Sequence, residues 1–369
     1  MKLLREIVPI AVLTLVCVGL WFVPPPGRLA NDTGRTVQAE VVETEDSGLQ
    51  HFGGCLDFGT QRLTVRMPDG SVRTAMNEIR AQMDIDKRFR PGDTALVILP
   101  ANDDGASPLV ARDHWRLGWA GALFAAFCAL LCAFGGFTGV KALFSFVFSC
   151  FAVWKLLIPL CLRGWSASSV AFLTVAVLTA VIMYLVAGPT KKGAVAFAGS
   201  MLGICASFVM AAFFGRVMHV NGATMPYAQA LVNAGCSFLD LGDVFVGAIV
   251  LASSGAVMDL GMDIAAGIAE VARHNPSLGR GELFRSGLRM GRAVVGTMTT
   301  TLLLAYSGGY LTLLMRFAAE GTRPLDFINS TLVSAELVKT LVGSFGLVLV
   351  APFTALVGAI AFSKGNTRT

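Results

Sequence analysis

The sequence is poor in charged residues, and this excludes most soluble folds. Only 14% of its 369 residues are Asp, Glu, Lys or Arg, whereas soluble domains contain about a quarter. Apolar residues make up 54% of the chain and give a mean hydropathy of +0.67. The net charge of +5 is a small excess rather than the basic patch that nucleic-acid binding needs. The composition therefore predicts a membrane protein whose partner is the lipid bilayer and not nucleic acid.

Motifs for metal, nucleotide and nucleophile chemistry are also missing. The eight cysteines show no paired spacing, which excludes a disulfide framework or a zinc knuckle. The four histidines form no HExxH motif, and the chain contains no Walker lysine loop, Rossmann fingerprint or GxSxG elbow. We therefore expect no cofactor, no metal, no ATP hydrolysis by this chain alone and no enzymatic activity.

The first 113 residues divide into an apolar run and a polar segment. Residues 1–23 begin with Lys2 and Arg5 and continue as an apolar stretch, which predicts a transmembrane anchor with its amino terminus in the cytoplasm. A cleaved signal peptide is the alternative. Residues 31–113 contain five short alternating segments separated by turn signals, which predict a small extracytoplasmic β-barrel, OB-like, inserted after the first helix. The segments are 36–42, 61–67, 72–79, 94–99 and 109–113.

Seven apolar stretches follow within residues 117–362. Each is near the ~20 residues that a helix needs to cross a bilayer, so the sequence predicts seven helices here and eight with the anchor. Basic residues in the short loops predict that both termini are cytoplasmic. The expected fold is therefore a membrane all-α helical bundle with a β-domain. The stretches are 117–137, 140–162, 168–187, 194–214, 240–260, 293–315 and 337–361.

The densest charge pattern lies between residues 255 and 309. On continuous helices, three carboxylates would form an acidic stripe within about 40° of each other, and three arginines would form a basic stripe. A breaker at 275–277 separates the two stripes and could bring them face to face, with 262–292 as a cytoplasmic helical hairpin. The carboxylates are Asp259, Asp263 and Glu270, and the arginines are Arg285, Arg289 and Arg292.

Several segments resemble the YibE/F family of bacterial multi-pass membrane proteins. The segments are KLLIPLCLRGW at 155–165, GAVMD at 255–259, SGLRMGR at 286–292, GTMTTTLLLAYSGG at 296–309 and the stretch that begins at Glu336. The resemblance implies a multi-pass layout in a bacterial cytoplasmic membrane and does not imply a reaction. The chain departs from the family pattern at Thr300 and at 261–263, so the resemblance favours Asp259 over Asp263 as an acidic site.

Single residues inside the apolar stretches are further candidates. Lys155 lies in the middle of a predicted span, where a lysine is usually functional, although it could also extend to the membrane surface. Thr297 and Thr301 share a helix face, and their hydroxyls could line a polar cavity or bond back to their own helix. Glu336 stands three residues before Lys339, as an ion pair or as a partner for Lys155. All of these are candidate transport residues.

Two further patterns have structural explanations. Asp240 and Asp243 precede an apolar stretch, where carboxylates usually cap a helix, although they could also receive a cation. Gly199 and Gly203 form a small-xxx-small motif that is typical of close helix packing.

Three functions fit these residues. The leading hypothesis is a permease or exporter of a small solute or ion, powered by a gradient through the carboxylates. The second is a non-transporting envelope or secretion accessory factor whose β-domain binds an envelope protein partner. The chain could also form a homo-oligomer. The third is an intramembrane enzyme that uses Asp259 and Asp263 as acid and base.

Overall fold

The computed structural model forms two compact units, residues 27–131 and residues 1–26 with 132–369. It describes residues 14, 18, 19, 22, 34–52, 56–100, 103, 105 and 107–363. The predicted anchor at 1–23 lies, apart from four positions, outside these residues. The residues after 363, which end at the predicted cytoplasmic carboxyl terminus, lie outside them too.

The polar segment folds into a β-barrel, as predicted. Strands β1, β3, β4, β6 and β5 pair in that order, and β5 pairs with β1 to close the barrel, while β2 extends β3 as a hairpin. The β4–β6 pair is parallel and the others are antiparallel. The five predicted segments fall on the five barrel strands, and β2 was not predicted. The strands are β1 (Gly34–Glu45), β2 (Leu49–Phe52), β3 (Leu56–Arg66), β4 (Val72–Arg80), β5 (Thr94–Pro100) and β6 (Leu109–His114).

The alternation of apolar and polar residues along the strands explains the core of the barrel, because every second side chain of a strand points inward. Val41, Val65 and Val97 are fully buried in this way. Two inward side chains are polar, and both form hydrogen bonds to the backbone of the segment that connects β4 to β5. Gln61 accepts from Phe89 N at 3.1 Å and donates to Phe89 O at 2.9 Å. Asn77 donates to Lys87 O at 2.7 Å.

The rest of the described chain is helical, as the apolar stretches predict. The helices are α1 (Leu117–Ala152), α2 (Ile158–Leu162), α3 (Ala167–Ala187), α4 (Lys191–Val217), α5 (Ala228–Asn233), α6 (Leu241–His274), α7 (Arg280–Gly309), α8 (Leu311–Ala319), α9 (Pro324–Asn329) and α10 (Thr331–Phe362). A π-helical turn, Val153–Leu157, joins α1 to α2.

Eight separate crossings are not found among the described residues. Five helical stretches are long and apolar enough to cross a membrane, and α7 with α8 makes a sixth if this pair, bent by 64°, is one span. The predicted spans 117–137 and 140–162 form one stretch of 46 residues. Gly136 breaks it with φ 53° and ψ −131°, a conformation that only glycine adopts easily. The hairpin predicted at 262–292 corresponds to the end of α6 and the start of α7.

Helices α4, α6 and α10 pack through small residues. A Cβ at Gly199 would lie 2.1 Å from Thr354 Oγ1, and one at Gly346 would lie 1.9 Å from Ser207 Oγ. A Cβ at Gly203 would approach Val257 and Val350 to 3.0 Å. The helix backbones are therefore nearly in contact, as the small-xxx-small motif predicts.

The helices α3, α4, α6, α7 and α10 alternate in direction. At one end, Ser166 before α3 donates to Asp243 of α6 at 2.9 Å. At the other end, Arg280 of α7 donates to Ser363 after α10 at 3.1 Å. We call these the Asp243 end and the Arg280 end.

Candidate functional site

An ion pair near the Asp243 end joins three helices. Lys339 of α10 donates to Glu336 Oε1 at 2.7 Å and to the hydroxyl of Tyr310 at 2.6 Å. Its ammonium lies 4.9 Å from the ring centroid of Tyr310 and 5.8 Å from that of Phe245 in α6. Both charged side chains are only 15% exposed. The lysine therefore sits between a carboxylate and two aromatic faces, which all favour a positive charge.

A break between helices positions Tyr310. The chain bends by 64° between α7 and α8, and Tyr310 is the residue at the bend. Gly308 and Gly309 precede it, and their lack of side chains favours the end of a helix at this point. The sequence analysis missed this residue, although the Gly-Gly pair was a signal for it.

A cavity of about 210 Å³ lies beside the ion pair. Glu336, Tyr306, Tyr310 and Thr340 supply polar groups to its wall, which is otherwise mostly apolar. The second carboxylate oxygen, Glu336 Oε2, is buried and has no hydrogen-bond partner among the described residues. A buried acceptor without a partner is uncommon, so a proton, a cation or a donor from a solute would be stabilised there.

The predicted acidic stripe lies on one face of α6. Asp259 and Asp263 are exposed and have no hydrogen-bond or ion-pair partner within the part of the chain that the structure describes. Glu270 is also exposed, but it pairs with Arg273 at 2.5 Å and with His274 at 3.2 Å. Asp259 and Asp263 therefore lie on an open helix face and not in a closed cavity.

The basic stripe does not face the acidic one. Its three arginines are exposed on α7, and no ion pair joins them to the α6 carboxylates, all of these residues being described. The two helices instead meet through small and apolar residues. A Cβ at Gly267 would meet Met290, and a Cβ at Gly287 would meet Ile268. The close approach uses these faces and turns the arginines outward, so the predicted charge pairing is not found. The arginines are Arg285, Arg289 and Arg292.

The threonine hydroxyls of α7 are used within their own helix. Thr297 donates to Val294 O at 2.9 Å, and Thr301 donates to Thr297 O at 3.0 Å. Both residues are exposed. Back-bonding was the alternative to a cavity-lining role, and the structure shows the back-bonded form.

Lys155 lies in the π-helical turn that precedes α2. Pro159 has no N–H to donate to the carbonyl of Lys155, and its ring crowds that carbonyl, which explains a wider turn here. Lys155 lines an open cavity of about 580 Å³ with Cys150, Phe151 and Trp154. Lys155 and Glu336 therefore line different cavities, and the structure pairs Glu336 with Lys339.

Both carboxylates at the start of α6 cap helices, as the capping interpretation predicts. Asp240 Oδ1 accepts from Gly242 N at 2.8 Å and from Asp243 N at 3.3 Å. Asp243 Oδ2 accepts from Ser166 Oγ at 2.9 Å and from Ser168 N at 3.2 Å, at the start of α3.

Comparison with known proteins identifies a family for this chain. The chain matches no curated protein and no solved structure. The family described as YibE/F-like protein matches residues 123–364, which run from within α1 to just past α10 and exclude the barrel. This match covers well over half of the chain and agrees with the resemblance seen at 155–165 and 255–309. The chain therefore belongs to the YibE/F-like protein family.

Proposed function

We propose that the protein is a permease or exporter that moves a small solute or ion across the membrane, driven by a gradient. The observation that carries this proposal is the Glu336–Lys339–Tyr310 cluster with its unpartnered oxygen at a broken helix. Broken helices beside ionisable groups are typical of the substrate and ion sites of secondary transporters. Ionisable residues inside apolar helices are costly and usually functional.

The cluster can exchange a proton or a cation with small rearrangement. While Glu336 is ionised, Lys339 compensates its charge at 2.7 Å. When a proton or a solute cation binds at Oε2, Lys339 loses part of that attraction, although it keeps its bond to Tyr310. Because Tyr310 marks the bend between α7 and α8, a change in this bond is transmitted to both helices.

The orientation we propose follows from the basic residues. Lys191, Lys192, Arg273 and Arg280 flank the short connections at the Arg280 end. The positive-inside rule then makes this end cytoplasmic, in the cytoplasmic membrane of a bacterium, with both termini inside and the barrel outside. Eight crossings require the anchor and a reversal of the chain at Gly136. The break at Gly136, with 19 residues of this stretch before it and 26 after it, supports this count.

Labelling of a Ser71→Cys variant tests the orientation. Ser71 is exposed in the turn between β3 and β4. A membrane-impermeant maleimide should label it in cells whose outer membrane alone has been permeabilised. Labelling only after rupture of the cytoplasmic membrane would reverse the topology.

Flux through purified protein in liposomes tests the function. Common ions and small solutes are screened with and without a pH gradient, and the Glu336→Gln variant is compared with the wild type. The matched control is Glu320→Gln, which removes the carboxylate of an exposed pair with Arg316 on α8. Gradient-dependent flux that Glu336→Gln abolishes and Glu320→Gln leaves intact is the expected result. Equal flux in all three proteins would refute a role for the cluster.

A second candidate function is an envelope accessory factor, and the barrel surface favours it. Five large apolar side chains of the barrel are more than half exposed, and apolar residues of this kind mark a protein-interaction site where they form one patch. They are Phe58, Val72, Met83, Ile85 and Val110. We infer that the barrel is OB-like from its closed five-stranded order. An intact barrel that cross-links to an envelope protein, together with a core that carries no flux, would favour this function.

A further inference from the structure

A second cavity, of about 540 Å³, opens at the Asp243 end. It lies among the start of α3, the end of α4 and the start of α6. Its polar wall contains Ser168, Arg216, His219, Asn221, Asp240 and Asp243. Apolar residues that include Phe245, Ala211 and Val342 form a buried cluster beside α6, and the two cavities share no lining residue. The cavity is therefore distinct from the Glu336 site.

Charges of both signs face this cavity without neutralising each other. The guanidinium of Arg216 has no hydrogen-bond or ion-pair partner within the described chain. Asp240 uses one carboxylate oxygen to cap α6, and its other oxygen accepts no hydrogen bond from a described residue. The cavity thus presents a fork of N–H donors and a carboxylate oxygen that are both available to a ligand.

The wall that carries these groups is held in place by the fold. Asp243 is tied to Ser166 and Ser168, which fixes the start of α3 against α6. The turn after α4 is tightly constrained, because a Cβ at Gly222 would lie 2.0 Å from Leu241 O. His219, in the same turn, has φ 52°, a left-handed conformation that is uncommon for a residue other than glycine. A site with fixed walls loses less entropy when a ligand binds.

The balance of charge selects the class of ligand. A simple anion would meet the carboxylates, and a simple cation would meet Arg216. No group of three His, Cys, Asp or Glu side chains comes close enough to hold a metal ion anywhere in the described residues. A molecule with one carboxylate and one ammonium group satisfies both signs, and the volume lies in the range of small-molecule sites.

We propose that this cavity binds a small zwitterion of the amino-acid class, with its carboxylate on Arg216 and its ammonium on Asp240. The cavity then faces the outside of the cell and is the place where a transported solute enters or leaves. That second statement rests on the proposed transport function, whereas binding does not.

Calorimetric titration of the full-length protein in nanodiscs tests the site. The probes are the standard amino acids and glycine betaine, with acetate and methylammonium as ligands of single charge. At least one zwitterion should bind, and both single-charge ligands should bind at least tenfold more weakly. Arg216→Gln and Asp240→Asn should each weaken binding by about tenfold, which corresponds to about 1.4 kcal/mol. Asparagine is as good a helix cap as aspartate, so the second change keeps the start of α6 intact.

The controls are Arg163→Gln and Asp326→Asn, two exposed residues at the same end that do not line the cavity. Their binding constants should equal that of the wild type. Absence of binding by every zwitterion, or equal losses in the control variants, would overturn the proposal. Binding without flux in liposomes would support the binding site and refute the proposed transport function. The Glu336→Gln variant should still bind the zwitterion but should lose flux.

Discussion

Replacement of Gly346 by alanine measures how closely α4 and α10 are packed. The new Cβ would lie 1.9 Å from Ser207 Oγ and 3.2 Å from both Ser207 Cβ and Gly203 O. Carbon atoms pack best at ~3.5–4.0 Å. The hydroxyl must therefore rotate away, and the two helices must still separate by a few tenths of an ångström. Overpacking of this kind costs about 1–3 kcal/mol, against a gain of up to ~1 kcal/mol from helix propensity. With the full gain subtracted, we expect a net loss of up to about 2 kcal/mol.

The assay is unfolding of the full-length protein by SDS in mixed micelles, followed by far-ultraviolet circular dichroism. Gly255→Ala is the control, because a Cβ at that position on α6 would meet nothing within 4 Å. It should be neutral or slightly stabilising. In a Ser207→Ala background the 1.9 Å contact no longer exists, so the penalty for Gly346→Ala should fall by about half. A Gly346→Ala protein as stable as Gly255→Ala, or the same penalty in both backgrounds, would refute the close packing.

Three further predictions concern charged groups. Asp259→Asn is near-isosteric and should abolish flux in liposomes at a normal protein level on a membrane immunoblot; a fully active variant, or one missing from the membrane, would count against it. Lys339→Met leaves the Glu336 carboxylate unpaired and should cost about 3 kcal/mol in SDS unfolding; adding Glu336→Gln should restore most of it, and no recovery would reject the pair. The hydrogen bond from Arg88 lowers the pKa of Asp46 below its ordinary 3.8. The contribution of this pair to the free energy of unfolding is present above pH 3.8 and disappears as the pH falls through the lowered pKa. The thermal unfolding temperature of the barrel in Arg88→Ala should therefore depend less on pH in this range. An unchanged pH dependence would contradict the role of the pair.

Local patterns predicted the elements of the fold well. The five alternating segments became barrel strands because alternation fixes which side chains face the core, independently of distant residues. Apolar runs of span length became helices for a similar reason. The run 293–315 was predicted as one span, whereas the helix starts at Arg280 and bends at Tyr310. Gly308 and Gly309 were a local signal for the end of the helix, whereas the contact of Tyr310 with Lys339 depends on the fold.

The site was less predictable because it depends on contacts between distant residues. Glu336 and Lys339 are one turn apart, so their pairing followed from spacing. Tyr310 lies 29 residues from Lys339, and only the fold brings the two together. The stripes on α6 and α7 are correct as helix faces, but which faces meet depends on where glycines allow close approach. Gly267 and Gly287 allow α6 and α7 to approach on the faces that carry them. The spacing of the charged residues gives no information about these faces.

The open face of α6 has a consequence for the state of the protein in the bilayer. Asp259 follows about 27 Å of helix from Leu241, at 1.5 Å per residue, so a ~30 Å hydrocarbon layer that begins at Leu241 would end within one turn after Asp259. A carboxylate at the centre of a bilayer costs about 2.5–3.5 kcal/mol on insertion scales, and less near the surface. An isolated molecule carries that cost as long as lipid chains touch this face. Contact of Asp259 with water or with a cationic group removes this cost, so the energy of the open face of α6 depends on what covers Asp259 in the bilayer.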